Sequence, residues 1–294
     1  MRLTRPATAW RPFVVIRLLR SVGTTVQPRP VVVRSRFAVP SPAPTVRSPD
    51  AWAFLHPRRW IGPGLLCSAL AWELTTAVFA SNALTPLAEP AGLELLSSSR
   101  QRADYGALAE TFLTQANLTY CGVASSVMVL NSLALPAPAA RGYGRYRFWT
   151  QDNLFSSDAT RAVLPPEQVA KRGMTLQQLQ ALLVSNGARA HAIHGSSLDL
   201  AAFRTLVMAN QTNPHDRLLV NYLRSSMGQE GGGHISPVAA YHAPSDQVLI
   251  LDVARYRYPS VWVPLPDLWR AMRTTDGDSG LSRGLVVVQR PITP

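Results

Sequence analysis

The sequence predicts an α+β fold, a helical part followed by an antiparallel sheet. Three observations carry this. Helix signals fill residues 104–209, whereas short apolar runs separated by Gly/Pro turns fill residues 218–288. Hydrophobic residues make up 47% of the 294-residue chain and charged residues 16%, enough apolar material for a large core. No internal repeat, Gly-x-Gly-x-x-Gly or P-loop appears, so nothing points to a doubly wound nucleotide-binding sheet.

Three segments are expected in order. Residues 1–57 mix arginine, nine prolines and short apolar pieces and read as a disordered basic segment, or as a translation start drawn too early. Residues 58–83 read as a secretory signal: Arg58-Arg59, an apolar run from Trp60 to Ala80 broken by Glu73, then Ala80-Ser81-Asn82-Ala83. This gives export to the periplasm as the expectation, with an uncleaved membrane anchor or a cytoplasmic location as alternatives. Residues 84–294 form the body. Within it 104–114 reads as a short helix, and Cys121 to Ala134 as a helix apolar nearly all round that ends before Pro136. Arg141 to Trp149 is a loop. Thr175-Leu-Gln-Gln178 is a capping box, with Leu176, Leu179, Leu182 and Leu183 as the stripe behind it and Gly187 as its stop. A further helix covers roughly 198–209. Strands are predicted at Leu218 to Leu223, His234 to His242, Val248 to Val253 and Leu285 to Val288, with a short helix at Pro266 to Met272.

The net charge of +12 suggests nucleic acid, but its distribution argues otherwise. Residues 1–60 hold eleven arginines and one acid, a net +10, which leaves +2 for the other 234 residues. The body has no phosphate-binding stripe, and membrane contact is expected only through an uncleaved N-terminal segment. One of the 29 cations, Lys171, is lysine, a bias that suggests codon composition. Cys67 and Cys121 are the two cysteines, so there is neither a disulfide framework nor a cysteine-based zinc cluster. Removal of a signal would leave Cys121 alone.

Cys121 stands at the first residue of a helix, where unpaired N–H groups and the helix dipole favour a thiolate, the form that acts as nucleophile. The bland reading is a small hydrophobe in the core. His234, just after three glycines, is a candidate base. Asp252 is a candidate for orienting it, because a carboxylate alternating with Val248 and Ile250 on an inward face needs a partner. Gln115, six residues before Cys121, can complete an oxyanion hole with the Cys121 N–H. His191 and His194 have the spacing of a metal pair but no third ligand nearby, and no metal site is expected. No Gly-x-Ser-x-Gly supports a serine hydrolase.

Three ordered blocks go further. Thr114-Gln115, Tyr120-Cys121-Gly-Val-Ala-Ser125 and Val129-Leu-Asn131 form the first. Gly231-Gly-Gly-His234-Ile-Ser-Pro237 with Tyr241-His242 forms the second. Val248 to Pro259, Trp262-Val-Pro264 and Gly280-Leu-Ser-Arg283-Gly284 form the third. From Leu84 to Val288 the chain resembles the phytochelatin synthase family, in its short bacterial, catalytic-domain-only form. The resemblance implies a papain-like fold and a triad of Cys121, His234 and Asp252, with Gln115 as the oxyanion residue. It places γ-glutamyl-binding groups on Asn221, Gly233, Asp276 and Arg283 and gives Arg255 a role toward a second substrate. An acid and an arginine fork suit the ammonium and carboxylate of that group.

The implied chemistry is attack of Cys121 on the Cys–Gly bond of glutathione, or of a glutathione conjugate. Glycine is released, and the γ-Glu-Cys acyl-enzyme passes to water or to a second glutathione. Hydrolysis ranks above polymer synthesis for the short form. No tightly bound cofactor is expected; Cd2+ or Zn2+ would enter as thiolate complexes of the substrate. A homodimer is among the states the resemblance admits. The alternatives are a papain-like peptidase acting on another peptide, and a non-catalytic protein that binds membrane or nucleic acid through its basic N-terminus.

Overall fold

The computed structural model describes residues 84–291; the expected basic segment 1–57 and signal-like segment 58–83 lie outside the described residues. The chain divides into units Met1–Ala69 and Leu70–Pro294, and the second is described by itself. Its elements are β1 (Thr85–Pro86), α1 (Pro90–Ser98), α2 (Tyr105–Glu110), α3 (Cys121–Ser132), α4 (Asp158–Val163), α5 (Pro166–Arg172), α6 (Leu176–Ser185), β2 (Arg189–His194), α7 (Leu200–Asn210), β3 (Asp216–Leu223), β4 (Gly233–His242), β5 (Gln247–Ile250), β6 (Val261–Pro264), α8 (Leu265–Met272) and β7 (Gly284–Gln289). The seven strands form one antiparallel sheet in the order β1-β6-β5-β4-β3-β7-β2.

Period-two alternation along the central strands sorts side chains onto two faces. Leu219, Ile235, Leu249, Trp262, Val286 and Val288 join the α3 and α6 residues in one core. Leu218, Val220, Tyr222, Val238, Ile250 and Leu285 join Phe203, Val207, Leu268 and Met272 of α7 and α8 in the other. Both faces are covered, so β3 and β4 are buried almost throughout and read as continuous apolar runs. Helix α6 keeps its predicted capping box, and its four stripe leucines are all buried, each stabilising by roughly 2 kcal/mol relative to exposure.

The α+β class holds, but the split between helices and sheet is looser than the sequence suggests. Edge strands β1 and β2 come from the helical part of the sequence, and β6 is a four-residue strand. Helix α3 ends at Ser132, two residues early, where Ala134 takes φ +48° before Pro136. The strand expected over Val248 to Val253 stops at Ile250. Beyond it the Asp252 carboxylate accepts from the Ala254 N–H at 2.8 Å, a local turn that competes with the ladder. Among the described residues no helix is long and apolar enough to cross a membrane.

Candidate active site

The site forms where the N-terminus of α3 meets the central strands. Apolar on nearly every side, α3 is driven into the core against β4, and the Ser125 hydroxyl donates to the Ile235 carbonyl at 3.0 Å, fixing its depth. That contact brings Cys121 to His234, 113 positions later. Cys121 lines a cavity of about 280 Å3 and is partly exposed. His234 is 5% exposed and shares a hydrogen bond with the thiol. Its Nε2 lies 2.9 Å from Asp252 Oδ1 and 2.9 Å from Ser236 Oγ, which leaves Nδ1 for the sulfur. The Tyr222 ring meets the imidazole edge to face at 5.6 Å between centroids.

Each titratable member is displaced from its ordinary value. Burial opposes the Cys121 thiolate, but His234 and the backbone N–H groups of Ile235 and Gly122 outweigh it and hold the thiol below the usual range. Burial likewise opposes the imidazolium, and the Asp252 and Cys121 partners raise His234 above the usual range. Asp252, also opposed by burial, is held low by His234, Arg224 and the Ala254 N–H. The three shifts favour one state, a thiolate beside an imidazolium beside a carboxylate.

The same cavity is lined by Asn221, Gly233, Asp276 and Arg283, so these four predicted residues are brought to Cys121. Register explains it: Asn221 pairs with Ile235 on one side and Gly284 on the other, which aligns the ends of β3, β4 and β7. The Arg283 guanidinium lies 3.6 Å from Asp276 and donates to Asn221 Oδ1 at 3.4 Å, while its buried Nε has no partner. A Cβ on Gly233 would lie 2.5 Å from Arg283 Nη1, so the glycine is what lets the guanidinium rest on the strand. Leu118, Thr119, Arg172 and Met174 make the facing wall. Gly122, next to the nucleophile, leaves room for Met174, whose sulfur would sit 2.6 Å from an added Cβ.

Two predicted residues stand apart from this cavity. Gln115 is buried, and its amide donates to the Asn117 carbonyl at 2.7 Å and the Tyr256 hydroxyl at 3.2 Å, leaving Oε1 without a partner. Its backbone N–H reaches the Val253 carbonyl at 3.0 Å, which ties the segment before α3 to the Asp252 turn. Arg255 turns away: its guanidinium lies over the Phe112 ring at 4.6 Å, and Phe112 lines a separate, larger cavity of about 940 Å3 with Asn131, Phe148 and Trp149. Of the two other histidines considered, His194 hydrogen-bonds the Ser282 carbonyl and His191 sits in edge strand β2. Among the described residues no group of three or more His, Cys, Asp or Glu is placed to hold a metal ion.

Sequence reasoning missed Ser236 and Arg224. Ser236 was in reach, two residues after His234 on the same strand face. Arg224 was not: in a chain so rich in arginine, residue type is no signal, and only the turn after β3 buries this one.

The phytochelatin synthase family model matches residues 76–285. Glutathione gamma-glutamylcysteinyltransferase 1 of Lotus japonicus is 36% identical over 184 residues, 63% of this chain and 35% of the relative. Glutathione gamma-glutamylcysteinyltransferase 2 of Arabidopsis thaliana is 36% identical over 180 residues, 61% and 38%. The enzyme of that name from Schizosaccharomyces pombe is 32% identical over 186 residues, 63% and 43%. The chain therefore spans well under half the length of these curated relatives.

Proposed function

The chain belongs to the phytochelatin synthase family, and on that premise we propose that it is a cysteine enzyme that opens the Cys–Gly bond of glutathione. The observation that carries this reading is the coincidence, in one cavity, of Cys121 and an Asp252-paired His234 with an acid and an arginine fork. A γ-glutamyl group presents an ammonium and a carboxylate together. Asp276 answers the first, and Arg283, with its spare Nε donor, answers the second. A helix-borne cysteine facing a histidine on a sheet strand also supports a papain-like arrangement.

In the first step the Cys121 sulfur bonds to the carbonyl carbon of the substrate cysteine. The C–N bond then breaks as the His234 imidazolium gives its proton to the departing glycine amine, leaving a thioester. In the second step neutral His234 takes a proton from the attacking group. Water yields γ-Glu-Cys and the free thiol; the α-amine of a second glutathione yields the extended peptide. Hydrolysis is the proposed main course. Cadmium or zinc enters as a thiolate complex of the substrate, with no resident cofactor. Residues 84–294 are the proposed catalytic unit, delivered to the periplasm by the preceding segment.

Incubating the full chain with glutathione and measuring free glycine tests the reading. Release that disappears in Cys121→Ser is expected. Release no greater than in that variant would transfer the triad to some other peptide substrate.

A further inference from the structure

We infer that Arg224 is a fourth member of the reacting assembly, a positioning residue whose fixed positive charge makes a neutral set with the Asp252 carboxylate, the His234 imidazolium and the Cys121 thiolate. The inference rests on the proposed role of Cys121 as nucleophile.

Arg224 is 4% exposed and Asp252 wholly buried. Arg224 Nη2 lies 2.9 Å from Asp252 Oδ1, the oxygen that also meets His234, and 2.8 Å from Oδ2. Nη1 donates to Gln229 Oε1 at 2.6 Å, and the guanidinium carbon stands 4.7 Å from the centre of the Tyr258 ring. Arg224 is absent from the cavity wall, so its charge is spent inward and not on substrate. The glycine loop that delivers His234 is built across it: the Arg224 N–H donates to the Gly232 carbonyl at 3.1 Å, and a Cβ on Gly231 would lie 3.3 Å from Arg224 Cδ.

The charge count decides the role. A thiolate, an imidazolium and a carboxylate sum to minus one, and burying an uncompensated charge is costly. The guanidinium brings the sum to zero without a titratable proton. The other groups around the set do not supply that charge. The Tyr222 phenol is held neutral by burial, Tyr258 offers a ring face, and Arg257 is turned to Glu230 at 3.4 Å. Across the cavity, Asp276 and Arg283 offset one another, and the Arg172 and Asp278 side chains on its wall are exposed, so their charges are screened by solvent.

The test is the pH profile of iodoacetate alkylation of Cys121 in the full chain, resolved from Cys67 by peptide mass spectrometry; the reagent needs the thiolate as nucleophile and the adjacent imidazolium to draw its carboxylate. The thiolate exists above the Cys121 midpoint and the imidazolium below the His234 midpoint. A lowered thiol and a raised imidazole therefore give a window whose acid limb lies below the ordinary thiol value of 9.0 and whose alkaline limb lies above the ordinary imidazole value of 6.5. Arg224→Gln removes a cation, favours every protonated form, and moves both limbs upward by about one pH unit. Alkylation on the acid limb then slows about tenfold. Arg224→Lys returns most of the shift. A purely structural role would instead draw the limbs together toward the two ordinary values, with lysine no better than glutamine, and would overturn the inference. Arg224→Gln/Asp252→Asn covers a failure of the single variant to fold. Asp252→Asn alone should move both limbs downward and the double variant should bring them back; identical limbs in the two variants also overturn it. An ordinary thiol profile in the unmodified protein would instead sink the nucleophile reading itself.

Discussion

Among the described residues, two Arg–Asp pairs are almost fully enclosed and share nearly the same geometry, and they do different work. Arg217 meets Asp104 at 2.9 Å with both side chains almost fully enclosed, as Arg224 meets Asp252 at 2.8 Å. Around the first pair burial outweighs Arg217 and, with the nearby Asp216, pushes the Asp104 carboxyl up to about 8. Arg217 also donates to the Ser132 hydroxyl, the Ser132 carbonyl and the Pro214 carbonyl, and Asp104 accepts from Gln211. That network is closed, and it staples α2, the end of α3 and the start of β3. Around the second pair the network ends on His234, which can gain or lose a proton, and beyond it on a thiol. Both networks thus hold a group that can titrate, and what separates them is where they lead: Asp104 lies inside a closed network, whereas His234 opens onto the cavity that holds Cys121.

Neutralising the acid in each pair separates the two roles most sharply. Asp252→Asn should cut the rate constant for glycine release by about 10²–10⁴-fold, because the imidazole loses its orienting partner. Asp104→Asn should leave glycine release per folded molecule unchanged and cost about 3–5 kcal/mol in urea unfolding above pH 8, where Asp104 is ionised and its loss leaves Arg217 buried and uncompensated. Loss of activity in folded Asp104→Asn would erase the distinction. A smaller effect is expected at the substrate clamp. Arg283→Lys replaces a fork with a point charge and should raise KM for glutathione by about 10- to 100-fold with kcat nearly kept. A fall in kcat alone would move Arg283 from clamp to chemistry. The smallest effect concerns Gln115, one of whose amide protons is held by an exposed phenol. Tyr256→Phe frees that proton; on the oxyanion role that the resemblance implies for Gln115, it should speed the first turnover of glycine release by about two- to fivefold, an increase absent in the Gln115→Ala background.

What was legible in the sequence follows the same division. Strong periodicity announced α3, α6, β3 and β4, since burial on both faces or along one stripe leaves a clear pattern. Strand β2 was not legible: at the edge of the sheet it is half-exposed, and Arg189-Ala-His-Ala-Ile-His194 has too little apolar content to alternate visibly. Helices α4 and α5 are six and seven residues long and carry one buried residue each, too few for a stripe. At the site, residue type alone does not single out Cys121, His234 and Asp252, since buried cysteines and lone histidines are common; the three ordered blocks that resemble the family do. The placement of Gln115 under Tyr256, and of Arg255 over Phe112, depends on how loops fold back, which no local pattern encodes.

The position of β7 between β3 and β2 has a consequence for how the sheet assembles. Among the described strands it comes latest in the sequence, yet it lies inside the sheet, so β2 has no strand neighbour until β7 is in place. The same stretch brings Arg283. The cavity wall that carries Arg283 is therefore completed by the same strand that gives β2 its neighbour.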